Sequence, residues 1–274
     1  MIPARKQRWF GAWFARHAEA RIRARFAGLH VRGLHHLQTA ALKGPVLIVS
    51  NHSAWWDPLL ALVLVDRLCR LDGYAMMDAN NLRRLPFFGL VGAFGVDLDQ
   101  PRDGGLALRY AARLLDRPGR VCWVYPQGAE RPHTAPLRFK PGSGALARLA
   151  PQATTVPIAI RYEHGGLERP EIYVDLGPPL PGTPDAAQNT AVQELAVSLG
   201  LAGLDAAICD GDRRGFQTFY PWSEPWLARV MTRALAWLTR PLRLSRAEAA
   251  PSEPYALHRS QRSAVAPPVG QPHH

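Results

Sequence analysis

Val46-Leu47-Ile48-Val49-Ser50-Asn51-His52-Ser53-Ala54-Trp55-Trp56-Asp57-Pro58 is the most informative stretch of this chain. Its first five residues, with two valines and an isoleucine, form a short apolar run that reads as a buried strand. Asp57-Pro58 is a helix start, with a carboxylate at the N-cap and a proline at the first helical position. A strand that runs through a short polar loop into a helix is the unit of a layered α/β domain. Asn51 and His52 then stand at a strand's C-terminal end, where open α/β sheets bind ligands. There the imidazole of His52 can meet the carboxylate of Asp57. A carboxylate that accepts from one ring nitrogen fixes the tautomer and frees the other nitrogen to take a proton from a hydroxyl. Taken singly, Asp57 is a helix cap and His52 a structural histidine. Only the combination points to chemistry.

The alternation continues outward. Strands are expected at Arg70–Met76, Phe94–Leu98, Arg120–Tyr125, Thr155–Ile160 and Ile172–Leu176. Helices are expected at Pro58–Leu68, Leu106–Asp116, Ser143–Leu149 and Ala186–Leu199, with loop and helix over Asn80–Val91. The predicted fold is one α/β domain, a mixed and largely parallel sheet flanked by helices, over residues 31–218. Residues 1–30 are expected to form a basic amphipathic membrane-docking helix, with Trp9, Phe10, Trp13 and Phe14 on one side. From Met1 to Arg32 there are eight Arg or Lys and a single acid, Glu19. Aromatics beside basic residues suit a helix lying in a membrane interface. Residues 219–244 carry Trp222, Trp226 and Trp237 among arginines and form a second such candidate. Residues 245–274 read as a disordered tail.

Composition narrows the function. The chain has 274 residues, 47% of them hydrophobic, which is enough for a sizeable core. Its net charge of +11 favours polyanions: nucleic acid, an anionic membrane leaflet or acidic substrates. No recognised nucleic-acid module accompanies that charge, so no nucleic-acid partner is expected. No window of about 18 residues lacks a charge, so no spanning helix is expected. The three cysteines, Cys69, Cys122 and Cys209, exclude a disulfide scaffold and suit a reducing compartment. They have no His or Asp constellation around them, no Cys/His spacing suggests zinc, and no metal or cofactor is expected. Cys122 reads as inert core. Trp55 and Trp56 are expected to pack against the core or an acyl groove.

Asn51-His52-x4-Asp57 resembles the NHx4D motif of the glycerolipid acyltransferase superfamily, which includes the lysophosphatidic acid acyltransferases. Further segments match in order: Leu85-Pro86-Phe87-Phe88-Gly89, Gly95-Val96-Asp97, Tyr125-Pro126-Gln127-Gly128, Phe139-Lys140-Pro141-Gly142 and Val156-Pro157-Ile158-Ala159. The resemblance runs from about Val31 to Leu180. It implies transfer of a fatty acyl group, from acyl-CoA or acyl carrier protein as co-substrate, to a lipid hydroxyl. The acceptor would be a lysophospholipid, a glycerol-phosphate-type lipid as in 1-acylglycerol-3-phosphate O-acyltransferases, or a glycolipid. It implies His52 as general base and Asp57 as its orienting partner. It also implies substrate-binding roles for Asn51, Arg102, Gln127, Gly128, Arg131, Lys140 and Pro157. The expected location is peripheral, on the cytoplasmic face of the cell membrane.

The departures are specific. Where the family reads Glu-Gly-Thr-Arg, this chain reads Gln127-Gly128-Ala129-Glu130, and Arg131 comes one place late. Asp97-Leu98-Asp99-Gln100-Pro101 intervenes before Arg102, where the family places an arginine directly after its strand. Both phosphate-reading arginines are displaced, which points to an acceptor without a phosphate clamp, such as a glycolipid. The alternative is a non-catalytic lipid or acyl-carrier binding protein on an acyltransferase frame. Transfer to water instead of an alcohol is a variant of the enzymatic reading.

Overall fold

The structure, a computed structural model, describes residues 1–97 and 100–222, together with 230, 231, 233–235 and 237. Its centre is an eight-stranded sheet. In chain order the strands are β1 (Gly28–Arg32), β2 (Val46–Ser50), β3 (Asp72–Asp78), β4 (Ala93–Val96), β5 (Arg120–Val124), β6 (Thr154–Glu163), β7 (Glu171–Leu176) and β8 (Gln217–Phe219). Their spatial order is β4-β3-β5-β2-β6-β7-β1-β8. The first five of that order are mutually parallel, β7 joins β6 antiparallel, β1 is parallel to β7, and β8 is antiparallel on β1. The sheet is therefore mixed and mostly parallel.

Period-two alternation in β2 sends its side chains into two separate cores. Val46 and Ile48 face α1 (Arg8–Arg25), α2 (Leu34–Lys43) and α3 (Asp57–Leu62), joining Ile22, Leu37 and Leu60. Leu47 and Val49 face α6 (Pro101–Leu114), α7 (Gly142–Leu149) and α8 (Ala186–Cys209), joining Ala111, Leu146 and Leu201. A strand buried on both faces needs an unbroken apolar run, and Val46–Ser50 is that run. α3 continues as a π-helical turn, Val63–Leu68, and the short α4 (Ala79–Arg84) and α5 (Phe87–Leu90) follow β3.

The N-terminal helix falls within the expected residues, but its four aromatics do not share one side: Phe10 and Phe14 pack against the cluster of Leu82, Phe88 and Val91, with Phe14 meeting the Phe87 and Phe88 rings. Gly11, Ala15, Ala18 and Ile22 face the body, while Trp9 is 72% and Trp13 55% exposed. Small residues let α1 lie close against α3 and its π-helical extension. Ahead of it, Ile2 bridges Gly95 at the β4 edge, and the N-terminal ammonium pairs with Asp103.

Three elements have no counterpart in the sequence reading. β1 carries His30 and Arg32, which hide it as a strand. α2 starts from Gly33 in the left-handed conformation without a side-chain cap. β8 has only three residues, and it straddles the boundary expected at 218/219. Two elements run longer than expected: β6 extends three residues past Ile160, and α8 ten past Leu199. α8 has the length and apolarity to cross a membrane, at mean hydropathy 1.4 over 18 residues. It lies instead along the sheet, with Val197, Leu201 and Leu204 in the core. Most of the segment expected at 219–244 lies outside the described residues, and so does the whole of 245–274. Of the part described, Val230, Met231, Leu235 and Trp237 are exposed.

Candidate active site

β2 and β5 are parallel neighbours, with Val49 opposite Val124. Their continuations, Asn51-His52 and Tyr125-Pro126-Gln127-Gly128, therefore leave the sheet side by side at its C-terminal edge. Asn51 secures the other flank. Its side-chain amide donates to the Ile160 carbonyl at 3.0 Å and its Oδ1 accepts from the Ile160 N–H at 2.9 Å. This pair extends the β2–β6 ladder beyond the end of β2, so both ends of the Asn51 amide are committed to holding the chain.

His52 Nδ1 lies 2.7 Å from Asp57 Oδ2. The carboxylate has no solvent exposure, and four donors compensate for its burial: His52, the backbone N–H groups of Ser53 and Ala54 at 2.8 and 3.0 Å, and the Tyr162 hydroxyl on Oδ1 at 2.6 Å. The expected N-cap role is corrected here. Trp56 holds the cap position of α3, and the Asp57 side chain turns back onto the loop and His52 instead of forward onto helical amides. An aspartate saturated in this way has no acceptor left for a helix end. Burial, and then the Asp57 charge, push the Tyr162 phenol well above its ordinary 10, so it stays a donor.

The rest of His52 is held as firmly. Its N–H donates to Gln127 Oε1 at 2.8 Å, its carbonyl accepts from the Arg131 N–H at 2.9 Å, and its ring stacks on Tyr125 with centroids 4.4 Å apart. Since Nδ1 donates to Asp57, Nε2 is the nitrogen left to act as an acceptor.

His52 borders a cavity of about 540 Å³. The wall follows β3 from Gly73 to Asp78, and Leu62, Val65, Phe88 and Val91 add apolar surface. Near the β5 continuation the lining includes Gly128, Glu130 and Lys140. Gly128 has φ +73°, and a Cβ there would come within 2.8 Å of Lys140 Nζ. Glycine is required for both the turn and the close approach of the lysine.

The predicted residues separate into groups. His52, Gly128 and Lys140 line the main cavity, and Asp57 supports His52 from beneath. Asn51, Gln127 and Arg131 border a much smaller hollow that His52 also touches. Arg131 is absent from the large cavity's lining, as is Arg102, exposed on α6. Pro157 is buried in β6 opposite Val49, away from the cavity. Tyr162 was missed because the strand reading stopped at Ile160, two residues short, although Ile158, Ile160 and Tyr162 alternate onto the same core. Tyr125 carries no signal that marks it as a stacking partner. Trp56 packs edge-on to Phe26 as expected for a core residue, but Trp55 is 57% exposed, which corrects its assignment to the core or groove. Cys122 is buried, its thiol pushed up to about 12 by burial, and it is inert. Among the described residues no cluster of three His, Cys, Asp or Glu side chains could hold a metal ion.

A family profile described as Acyltransferase matches residues 28–161. Among solved structures, the crystal structure of the 1-acyl-sn-glycerophosphate (LPA) acyltransferase PlsC from Thermotoga maritima is similar, with a TM-score of 0.53. The two share 17% sequence identity, and the likeness covers 72% of this chain and 80% of that one. No curated protein matches this chain.

Proposed function

We propose that this chain, whose residues 28–161 match a family profile described as Acyltransferase, is a member of the glycerolipid acyltransferase superfamily and a membrane-associated O-acyltransferase that uses His52 as general base. The single observation that carries the reading is the His52–Asp57 pair at 2.7 Å, on the border of a cavity large enough for an acyl chain.

The donor is a thioester, acyl-CoA or acyl carrier protein, already activated, so no enzyme nucleophile is required. His52 Nε2 takes the proton of the acceptor hydroxyl as its oxygen attacks the thioester carbonyl carbon. The tetrahedral intermediate collapses with loss of the C–S bond, and the thiolate leaves with the proton from the His52 imidazolium. Asp57 holds the tautomer and balances the transient charge on the ring. Lys140, pinned over Gly128, offers positive charge to the oxyanion or to the donor.

The acceptor is a lipid alcohol without a phosphate monoester beside the reacting hydroxyl, a glycolipid being the leading class. Glu130 lines the cavity, and among the described residues no arginine does. A carboxylate at that wall repels a phosphate dianion. The basic α1 face, together with three free cysteines, supports a peripheral position on the cytoplasmic leaflet.

Incubation of the purified protein with radiolabelled acyl-CoA or acyl carrier protein, against a panel of lysophosphatidate and neutral glycolipids, tests both halves. Acceptor-dependent thiol release should fall by roughly 10²–10⁴ in His52→Ala. Thiol release without acceptor would indicate hydrolysis, and no release with any donor would leave the non-catalytic binding protein. Efficient use of lysophosphatidate, lost in Arg131→Ala, would overturn the acceptor assignment.

A further inference from the structure

We propose that Trp55, inside the loop that joins His52 to Asp57, is a membrane contact that seats the mouth of the catalytic cavity on an anionic bilayer. The inference rests on the proposed function for its purpose but not for its evidence, which is a surface.

On α1, Trp9, Trp13, His17 and Arg21 are spaced four residues apart and form one ridge. Twelve residues at 1.5 Å make that ridge about 18 Å long. It lies opposite the small residues that pack on the body, and its rings are ordered, with Trp13 stacked on His17 at 6.0 Å. The ridge ends at the catalytic loop. The Arg21 guanidinium lies 5.9 Å from the Trp55 ring centre and 5.6 Å from that of Trp56. Trp56 is the inner ring, packed on Phe26, and Trp55 stands edge-on to it at 5.4 Å, still 57% exposed. Three exposed tryptophans on one ridge and its end are more than scattered apolar surface.

The charges identify the occupant. Of the five arginines on α1, only Arg23 has an ion pair among the described residues, with Glu19. Arg8, Arg16, Arg21 and Arg25 form no ion pair among the described residues, and of these four Arg16 is the one whose charge reaches a carboxylate, that of Asp66. A bilayer with anionic headgroups satisfies such cations and takes up amphipathic indole rings at the same depth, without a shaped partner. The loop also ties this surface to the chemistry. The N–H groups of Ser53 and Ala54, directly before Trp55, donate to the carboxylate that holds His52. A lipid acceptor can then present its hydroxyl to His52 while its chain stays in the leaflet.

The test uses the full chain, vesicles of phosphatidylglycerol and phosphatidylcholine, and phosphatidylcholine brominated along its chains, which quenches tryptophan on contact. Trp55→Ala and Trp13→Ala should each weaken vesicle binding by roughly tenfold and reduce bromine quenching, with the thermal midpoint of the wild type. Binding should fall on pure phosphatidylcholine and in high salt. Wild-type affinity and quenching in Trp55→Ala would overturn the inference. So would loss of a dimer in sedimentation velocity without loss of vesicle binding, which would make the face a self-interface. His52→Ala should bind vesicles like the wild type. Trp55-dependent binding without acyl transfer would therefore sink the enzymatic reading alone, and acyl transfer without Trp55-dependent binding would sink the membrane contact alone.

Discussion

Asp57 illustrates how one residue can carry a site. Its carboxylate is removed from water, which is replaced by four donors from two parts of the chain: the imidazole of His52 with the two loop amides that follow it, and a phenol 105 positions away. Each donor restricts the others, so the imidazole has one orientation. Tyr162→Phe tests this at the residue scale. It deletes one hydrogen bond to a buried charge and keeps the ring, and should cost about 2 kcal/mol in urea unfolding. With the carboxylate less constrained, kcat should fall by roughly tenfold with KM little changed. The pairing of His52 with Asp57 was legible from a spacing of five residues. Tyr162 was not, because a phenol at the end of a strand has no local signature, and only the sheet brings it under Asp57.

At the scale of elements, the site is a consequence of two parallel strands ending at the same level. β2 delivers His52, and β5 delivers the Tyr125–Gly128 turn that stacks on it, accepts its N–H and brings Lys140 to the cavity. Gly128→Ala tests the turn. A left-handed φ costs alanine about 1 kcal/mol, and the new methyl would collide with the Lys140 side chain. The variant should stay folded, with acyl transfer reduced by more than tenfold as Lys140 is displaced. The strands themselves were readable, since a strand covered on both faces must be apolar throughout. The start of α3 was also readable, though not the use of its first carboxylate. A helix cap and a histidine-orienting group look identical in sequence, and the difference lies in which donors surround the oxygen atoms.

Across the whole molecule, the far edge of the sheet is fastened by a second buried network that serves no catalysis. Glu171 accepts from Tyr173 and Arg213 and pairs with His30, whose other nitrogen meets Thr218 of β8. The His30 hydrogen bond, ahead of those from Tyr173 and the Arg213 charge, holds the Glu171 carboxyl at about 2 against an ordinary 4.5. Its folded value is the lower one, so the stabilisation is complete above pH 4.5 and is lost as pH falls from there toward 2. It amounts to roughly 3 kcal/mol. Urea midpoints measured against pH should drop across that window in the wild type and much less in Glu171→Gln, which starts less stable at pH 7. The sequence alone determined the layered α/β class, the strand–loop–helix that bears His52 and Asp57, and the basic aromatic character of α1, because these follow from short-range periodicity and spacing. The tertiary structure alone decided which cations reach the cavity, which tryptophan stays outside and which distant phenol completes the pair. Those outcomes depend on strand order and on the few ångströms between elements, which no local pattern encodes.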